Sequence, residues 1–259
     1  MFVDSHCHLD RLDLSTRNNQ LQPVLDAAAE RNVSRMLCVA IDLQQLPTMF
    51  RSIENYPNVF ASVGVHPLHV DQGVPEVSEL LALAKAPKVV ALGETGLDYF
   101  YQKETIAAQQ DSFIHHLQAS AQSGLPVIVH TRDAREDTIR ILKQHADTDV
   151  GGVLHCFTET WEMAKQALDL NYMISFSGII TFRNAAELRE VVRQVPLENL
   201  LIETDAPYLT PVPYRGKPNE PQYVVEVAQC VADIKGVSVE QVAEVTSANF
   251  DRLFNKAVI

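Results

Sequence analysis

Nowhere does this 259-residue chain run apolar for the roughly 18 to 20 residues that a membrane-crossing helix needs. Its first ten residues already hold Asp4, His6 and His8, which the apolar stretch of a secretory signal does not tolerate, so the expected location is the cytoplasm. Cysteine is scarce. Cys7, Cys38, Cys156 and Cys230 stand far apart with no Cys-x-x-Cys pair, which leaves no thiolate zinc knuckle and, in a reducing compartment, no disulfide framework. All four are expected to be buried or half-buried thiols. Basic residues are outnumbered 21 to 33, a formal charge of −12, and an acidic surface cannot grip nucleic acid over a broad area. It can still hold a phosphate locally through metal ions. No Ser/Gly-rich linker, low-complexity tract or charge block divides the chain, so residues 1–259 are expected to form one domain, and nothing in them demands a protein partner.

What is present is alternation. Short β-branched runs fall at 1–7, 34–41, 59–65, 89–94, 126–130, 152–157, 172–179 and 200–203, with amphipathic stretches between them. Leu21, Val24, Leu25 and Ala28 make one helical stripe, and Phe113, Leu117 and Ala121 another. The stretch from Asp133 to His145 reads as a helix capped by Asp133, with Ile139 and Leu142 inward. Two more helices, 222–234 and 238–254, are separated by Gly236. Strand–helix alternation repeated eight times predicts a TIM-type (β/α)8 barrel with extra C-terminal helices. The rival, an open doubly wound sheet, usually carries a phosphate loop after its first strand, and no Gly-x-Gly-x-x-Gly follows residues 1–7.

In such a barrel the carboxyl ends of the strands converge on one face. His6 and His8, two apart on the first strand, project to the same side, with Cys7 pointing away. Glu94, His130, His155 and Asp205 end the fourth, fifth, sixth and eighth runs, and the six groups are expected to meet in one cup. Singly, each reads equally well as a satisfied hydrogen-bonding residue or a helix cap. Together, two carboxylates and four imidazoles without a cation would leave desolvated polar groups unpaired, so the set predicts metal.

These residues sit in blocks that resemble the TatD family of metal-dependent hydrolases, amidohydrolase-like barrels. The blocks are Asp4–Leu9, Gly64–Pro67, Gly93–Asp98, His130–Ala134, His155–Phe157, Glu203–Leu209 and Arg215–Pro221, with likeness reaching the helix that holds Asn249. One departure is Glu159, where the family often has glycine; it bears on loop shape rather than ligation. The resemblance implies that His6, His8 and Asp205 hold one metal, that His130 and His155 hold the other, and that Glu94 bridges. It also gives Asp205 the task of orienting or deprotonating the attacking water, and with Glu94 it is the expected catalytic residue. Imidazole and carboxylate donors without thiolate suit zinc, manganese, cobalt or nickel, whereas magnesium normally takes more oxygen. Family members are nevertheless described as magnesium-dependent, so two divalent ions are expected, with zinc, manganese and magnesium all open.

Two such ions against two carboxylates and a hydroxide leave the cup at about +1, opposite in sign to the chain. That favours hydrolysis of a phosphoester through an activated water, in the form of a TatD-like deoxyribonuclease working from DNA ends, or on a small phosphoester. The alternative keeps the site and changes the bond, to a carbonyl ester or amide such as that of aminoacyl-tRNA. A non-catalytic metal-binding module is disfavoured, because structural sites use closely spaced cysteine-rich ligands. Further residues are open to two readings. His66 and Arg132 contact phosphate, or Arg132 makes a surface salt bridge. Glu203, sharing a face with Asp205 one layer deeper, positions the site or bonds core polar groups. Tyr208 and the loop 215–221 shape the mouth or pack there. His115, His116 and His145, on predicted helices, are expected to be solvated.

Overall fold

The computed structural model describes residues 1–258. Eight strands alternate with helices: β1 (Phe2–Cys7), α1 (Gln22–Glu30), β2 (Val33–Cys38), α2 (Leu46–Ile53), β3 (Val59–Val63), α3 (Val77–Leu83), β4 (Val89–Asp98), α4 (Ile106–Ser123), β5 (Val127–Arg132), α5 (Arg135–His145), β6 (Gly152–Leu154), α6 (Trp161–Leu168), β7 (Tyr172–Phe176), α7 (Ala186–Gln194) and β8 (Leu200–Ile202). Two final helices follow, α8 (Val224–Lys235) and α9 (Val239–Leu253). All neighbouring strands pair in parallel, in the order β1 to β8. Beyond the ladder of β8, the Asp205 N–H donates to the His6 carbonyl (2.9 Å) and the His8 N–H to that of Ala206 (2.7 Å), which draws the last strand to the first. The architecture is a nearly closed TIM-like barrel, as the alternation predicts.

The strands are buried on both faces, which is why their runs read apolar without a break. Val3, Leu37, Phe60, Val90, Ile128, Val153, Met173 and Leu201, one from each strand, fill the inside. Phe250, Leu253 and Phe254 of α9 join this inner cluster, and the Ser247 hydroxyl donates to the Met1 carbonyl. The last helix therefore plugs the amino-terminal end, leaving the carboxyl end as the open one. Leu92, Val129, Leu154, Ile174 and Ile202 point outward against helical residues such as Phe113, Leu117 and Leu142.

The differences from expectation lie at element ends. Several strands stop short of the predicted runs, β6 at Leu154 and β7 at Phe176, because the chain leaves the ladder there. Cys156, just past β6, takes a left-handed φ of 43° that no strand continues through. Conversely, β4 runs on to Asp98, pairing Gly96 with His130 and Asp98 with Arg132. Only glycine permits this at position 96: φ is +129°, and a Cβ would lie 2.1 Å from the His130 carbonyl oxygen. Asp133 is not the cap of α5; it precedes Ala134 with a φ of 53°, and the helix starts at Arg135. Ala121 is exposed, and the buried face of α4 instead runs through Gln109, Phe113, His116, Leu117 and Ser120. Gly236 does end α8, in the left-handed conformation that stops helices.

Candidate metal centre

All six expected ligands meet at the open end of the barrel. The β1–β2 register shifts between Asp4 and Cys7, and past this irregularity His6 and His8 face the cup while Cys7 packs outward. Glu94 lies midway along β4, His130 is inside β5, His155 follows β6, and Asp205 follows β8 with a left-handed φ of 58°. One oxygen of Glu94 faces the first-strand pair, Oε2 lying 3.4 Å from His6 Nε2 and 3.9 Å from His8 Nε2. The other, Oε1, lies 2.7 Å from His155 Nε2, 3.2 Å from His130 Nδ1 and 3.3 Å from His66 Nε2. Asp205 Oδ1 is 3.4 Å from His8 Nε2 and 3.7 Å from His6 Nε2.

These spacings can be tested against a cation. Nitrogen and carboxylate donors at about 2.1 Å in a tetrahedron stand about 3.4 Å apart. His6 Nε2 and His8 Nε2 are 3.3 Å apart, and their distances to Asp205 and Glu94 run from 3.4 to 3.9 Å. His6, His8 and Asp205 form one compact donor group, His66, Glu94 and His130 a second, and His6, His155 and Glu203 a third, fully buried one. His6 Nδ1 is buried without a hydrogen-bond partner. The donor set fits a divalent ion.

The partners of the remaining ring nitrogens decide which histidines can ligate, since a neutral imidazole carries one proton. His8 Nδ1 donates to the Val39 carbonyl (2.8 Å), so the lone pair is on Nε2. His155 Nδ1 donates to Glu203 Oε1 (3.3 Å), again turning Nε2 inward, and His130 Nε2 donates to Asp98 Oδ2 (3.1 Å), turning Nδ1 inward. His66 is the reverse. Its Nδ1 accepts the Leu68 N–H (3.1 Å), so the proton sits on Nε2 and points at Glu94. Despite belonging to the second donor group by distance, His66 presents a donor, not a lone pair.

Charges follow this arrangement. Burial alone would push the Glu94 carboxyl up, but His155, His66 and the His130 hydrogen bond carry it well below its ordinary value. Burial opposes charge on His155 too, yet Glu94 and Glu203 on either side of it lift its pKa well above normal. Burial, reinforced by the neighbouring imidazoles, takes His66 down to about 4 even though Glu94 opposes the shift. The ring therefore stays neutral at pH 7, as its tautomer requires.

The weaker expectations also resolve. Glu203 is fully buried and accepts from the Cys156 N–H (2.8 Å), the Ser175 hydroxyl (2.5 Å) and His155, so it both bonds core groups and orients a cup histidine. Arg132 makes no salt bridge among the described residues; its guanidinium lies over the rings of Phe100 (4.3 Å) and Tyr101 (4.6 Å). Tyr208 is exposed at the rim, and the Asn219 side chain donates to the carbonyls of Thr204 (2.8 Å) and Tyr208 (2.5 Å), pinning the loop after β8. Glu159 takes up Arg135 at the surface. Cys7 and Cys38 are buried and Cys156 and Cys230 half-buried, all as free thiols. His116 corrects an expectation: it is fully buried, accepting the Val65 N–H at Nε2 (3.2 Å) and donating from Nδ1 to the Ser112 carbonyl (2.7 Å). Helix position alone could not reveal that it braces the segment carrying His66.

Two further residues take a clear place in the site. Asp98 is buried and splits its carboxylate between His130 and the N–H groups of Phe100 (3.0 Å) and Tyr101 (2.8 Å). Asp4 ties β1 to the segment after β8, accepting the Thr204 N–H (2.8 Å) and hydroxyl (2.6 Å); burial nonetheless pushes its pKa to about 8. Both lie within blocks visible in the sequence. The cup opens into a cavity of about 670 Å³, lined by His8, His66, Glu94, Asp98, Tyr101, Arg132 and Tyr208 among others. That size suits a small organic group rather than a closed structural ion.

The comparisons with known proteins agree with this geometry. The family model for TatD related DNase matches residues 3–255. YcfH, an uncharacterized metal-dependent hydrolase of Escherichia coli strain K12, is 53% identical over 253 residues, covering 98% of this chain and 95% of its own. The 3'-5' ssDNA/RNA exonuclease TatD of Citrobacter rodentium is 35% identical, covering 89% and 90%. The crystal structure of YJJV, a TatD homolog from Escherichia coli K12, overlays with a TM-score of 0.86 at 30% identity, covering 98% of both chains. The chain belongs to the TatD family of metal-dependent hydrolases.

Proposed function

We propose that this hydrolase cleaves phosphodiesters at the ends of nucleic acid, as an exonuclease-type deoxyribonuclease. His6, His8, Glu94, His130, His155 and Asp205 would hold two divalent cations, with zinc, manganese and magnesium as candidates. The observation that carries the reading is the placement of Glu94, whose two oxygens face separate sets of imidazoles beneath an open cavity. When bound, such ions lower the pKa of water and neutralise charge on a phosphoryl oxygen. Asp205, lying beside His8 at the rim of the donor group, orients the attacking water and accepts its proton. The Nε2–H of His66 is fixed by the Leu68 N–H on its far nitrogen, and offers a neutral donor to a phosphoryl oxygen. Arg132 adds a cation at the mouth, where a chain of −12 otherwise repels an anion. The name of the Citrobacter rodentium relative, an exonuclease of single-stranded DNA and RNA, supports the same substrate class.

Purified protein assayed on single-stranded DNA, an aryl phosphodiester and an aminoacyl ester tests this directly. Cleavage of the two phosphodiesters, abolished by chelator and by His130→Ala or Asp205→Ala in folded protein, is the expected result. Turnover of the aminoacyl ester alone would replace the phosphodiester with a carbonyl substrate. Full activity in both variants after chelation would refute the metal mechanism.

A further inference from the structure

We infer that Phe100, Tyr101 and Arg132 form a platform on which the terminal unpaired base of a nucleic-acid strand stacks while its phosphate enters the cup, a proposal that rests on the phosphodiesterase reading above. Among the described residues, the large hydrophobic side chains left exposed include three aromatics: Phe100 (51%), Tyr101 (60%) and Tyr208 (55%). Tyr101 and Tyr208 line the same cavity as Glu94 and Asp205, and Phe100 packs edge-on against Tyr101, with ring centres 4.8 Å apart. Apolar rings held in water beside a polar cup offer a face to a ligand.

The platform is built, not merely left over. Both backbone N–H groups of its turn bind the buried Asp98 Oδ1, and the buried Gln109 side chain donates to the carbonyls of Asp98 (3.2 Å) and Gln102 (2.8 Å). Asp98 Oδ2 holds His130, so one carboxylate sets the distance between the aromatic turn and the cup. Arg132 lies across both rings with no carboxylate partner among the described residues, in a chain where acids outnumber bases. A guanidinium so placed pairs its face with the rings and keeps its edge for a phosphate.

Charge narrows the occupant. A surface of −12 cannot track a long backbone, so grip on a strand has to come from a local contact at its end. Stacking supplies that contact for any base, because every base has a π-face, but only once the base has left its duplex. The occupant is therefore a single-stranded end.

The test compares single-stranded oligonucleotides whose terminal residues carry a base or are abasic, cleaved by wild type, Tyr101→Phe and the double variant Phe100→Ala/Tyr101→Ala. Wild type and Tyr101→Phe should prefer base-bearing ends by roughly tenfold to a hundredfold in kcat/KM. The double variant should lose that preference, chiefly through KM on base-bearing ends. A terminal 2-aminopurine should be quenched on binding wild type and not on binding the double variant. Equal cleavage of both ends by wild type, or a preference and quenching that survive in the double variant, overturns the platform while leaving phosphodiester cleavage standing. A wild type that cleaves neither oligonucleotide overturns the phosphodiesterase reading, and the platform with it.

Discussion

Replacing Asp98 by asparagine exchanges one carboxylate oxygen for an NH2 group at a point the cup depends on. Asp98 Oδ1 accepts two backbone N–H groups and Oδ2 accepts the Nε2–H of His130, three donors on one carboxylate. An amide of the same shape has only one acceptor oxygen. If that oxygen keeps the backbone turn, its NH2 faces His130 Nε2, which must then accept, and the proton moves to Nδ1. The lone pair turned toward Glu94 is lost. If the amide flips, its NH2 meets two N–H groups and the turn opens. Either way His130 is no longer held ready for a cation. Loss of such a supporting partner typically costs 10- to 100-fold in metal affinity. The fold should survive, since Asp98 ends its strand and the inner core lies below it. Metal titration by calorimetry, with activity followed as a function of added metal, should show a midpoint raised by about that factor and activity recovered at excess metal. A wild-type titration in Asp98→Asn would refute the reasoning that the tautomer of His130 is set by this carboxylate.

Other consequences follow from the same geometry. His66→Ala should lower kcat/KM about tenfold to a hundredfold, the value of a hydrogen bond to a charged group, while leaving metal affinity intact; steady-state kinetics beside metal titration checks the split. Chelation should lower the melting temperature as well as abolish activity, because an ion bound only by the folded state stabilises it by mass action; calorimetry before and after metal readdition measures it. Phe250→Ala should destabilise by about 3–5 kcal/mol in urea titrations, since it opens a cavity in the plug of the barrel. His116 titrates with a depressed pKa of about 4, lowered chiefly by burial. Between its unfolded value near 6.5 and 4 the unfolded state binds the extra proton, so stability falls as pH drops through that window. The difference between pH 7 and 5 is about 2 kcal/mol from this residue. His116→Gln should shed that portion of the acid sensitivity, read from urea denaturation at both pH values.

The fold was legible because the barrel repeats one physical problem eight times. Each parallel strand is buried on both faces, so it must be short, β-branched and followed by an amphipathic helix, and that signature survives without any long-range information. The gathering of the candidate donors was legible for a related reason: strand ends share one level in a barrel, so residues far apart in sequence inherit a common address. Strand lengths were not, because they depend on close approaches such as Gly96 against the His130 carbonyl, which concern the neighbouring strand rather than the local run. His116 was misplaced for the complementary reason. A histidine on a helix is expected in water unless something buried needs an acceptor, and the Val65 N–H that needs it belongs to another element.

The sharpest limit on spacing as a guide is seen in the histidines themselves. His66 and His130 both lie within reach of Glu94 Oε1, at 3.3 and 3.2 Å, and by residue type and position either is a ligand. What separates them is the group on the far side of each ring. Asp98 can only accept, which fixes a proton on the outer nitrogen of His130 and frees the inner one. The Leu68 N–H can only donate, which fixes the proton of His66 on the inner nitrogen. One backbone amide thus converts a residue with the appearance of a metal ligand into a hydrogen-bond donor. Under the function proposed above, the distinction between holding a cation and contacting its substrate resides in the partner of an atom that touches neither.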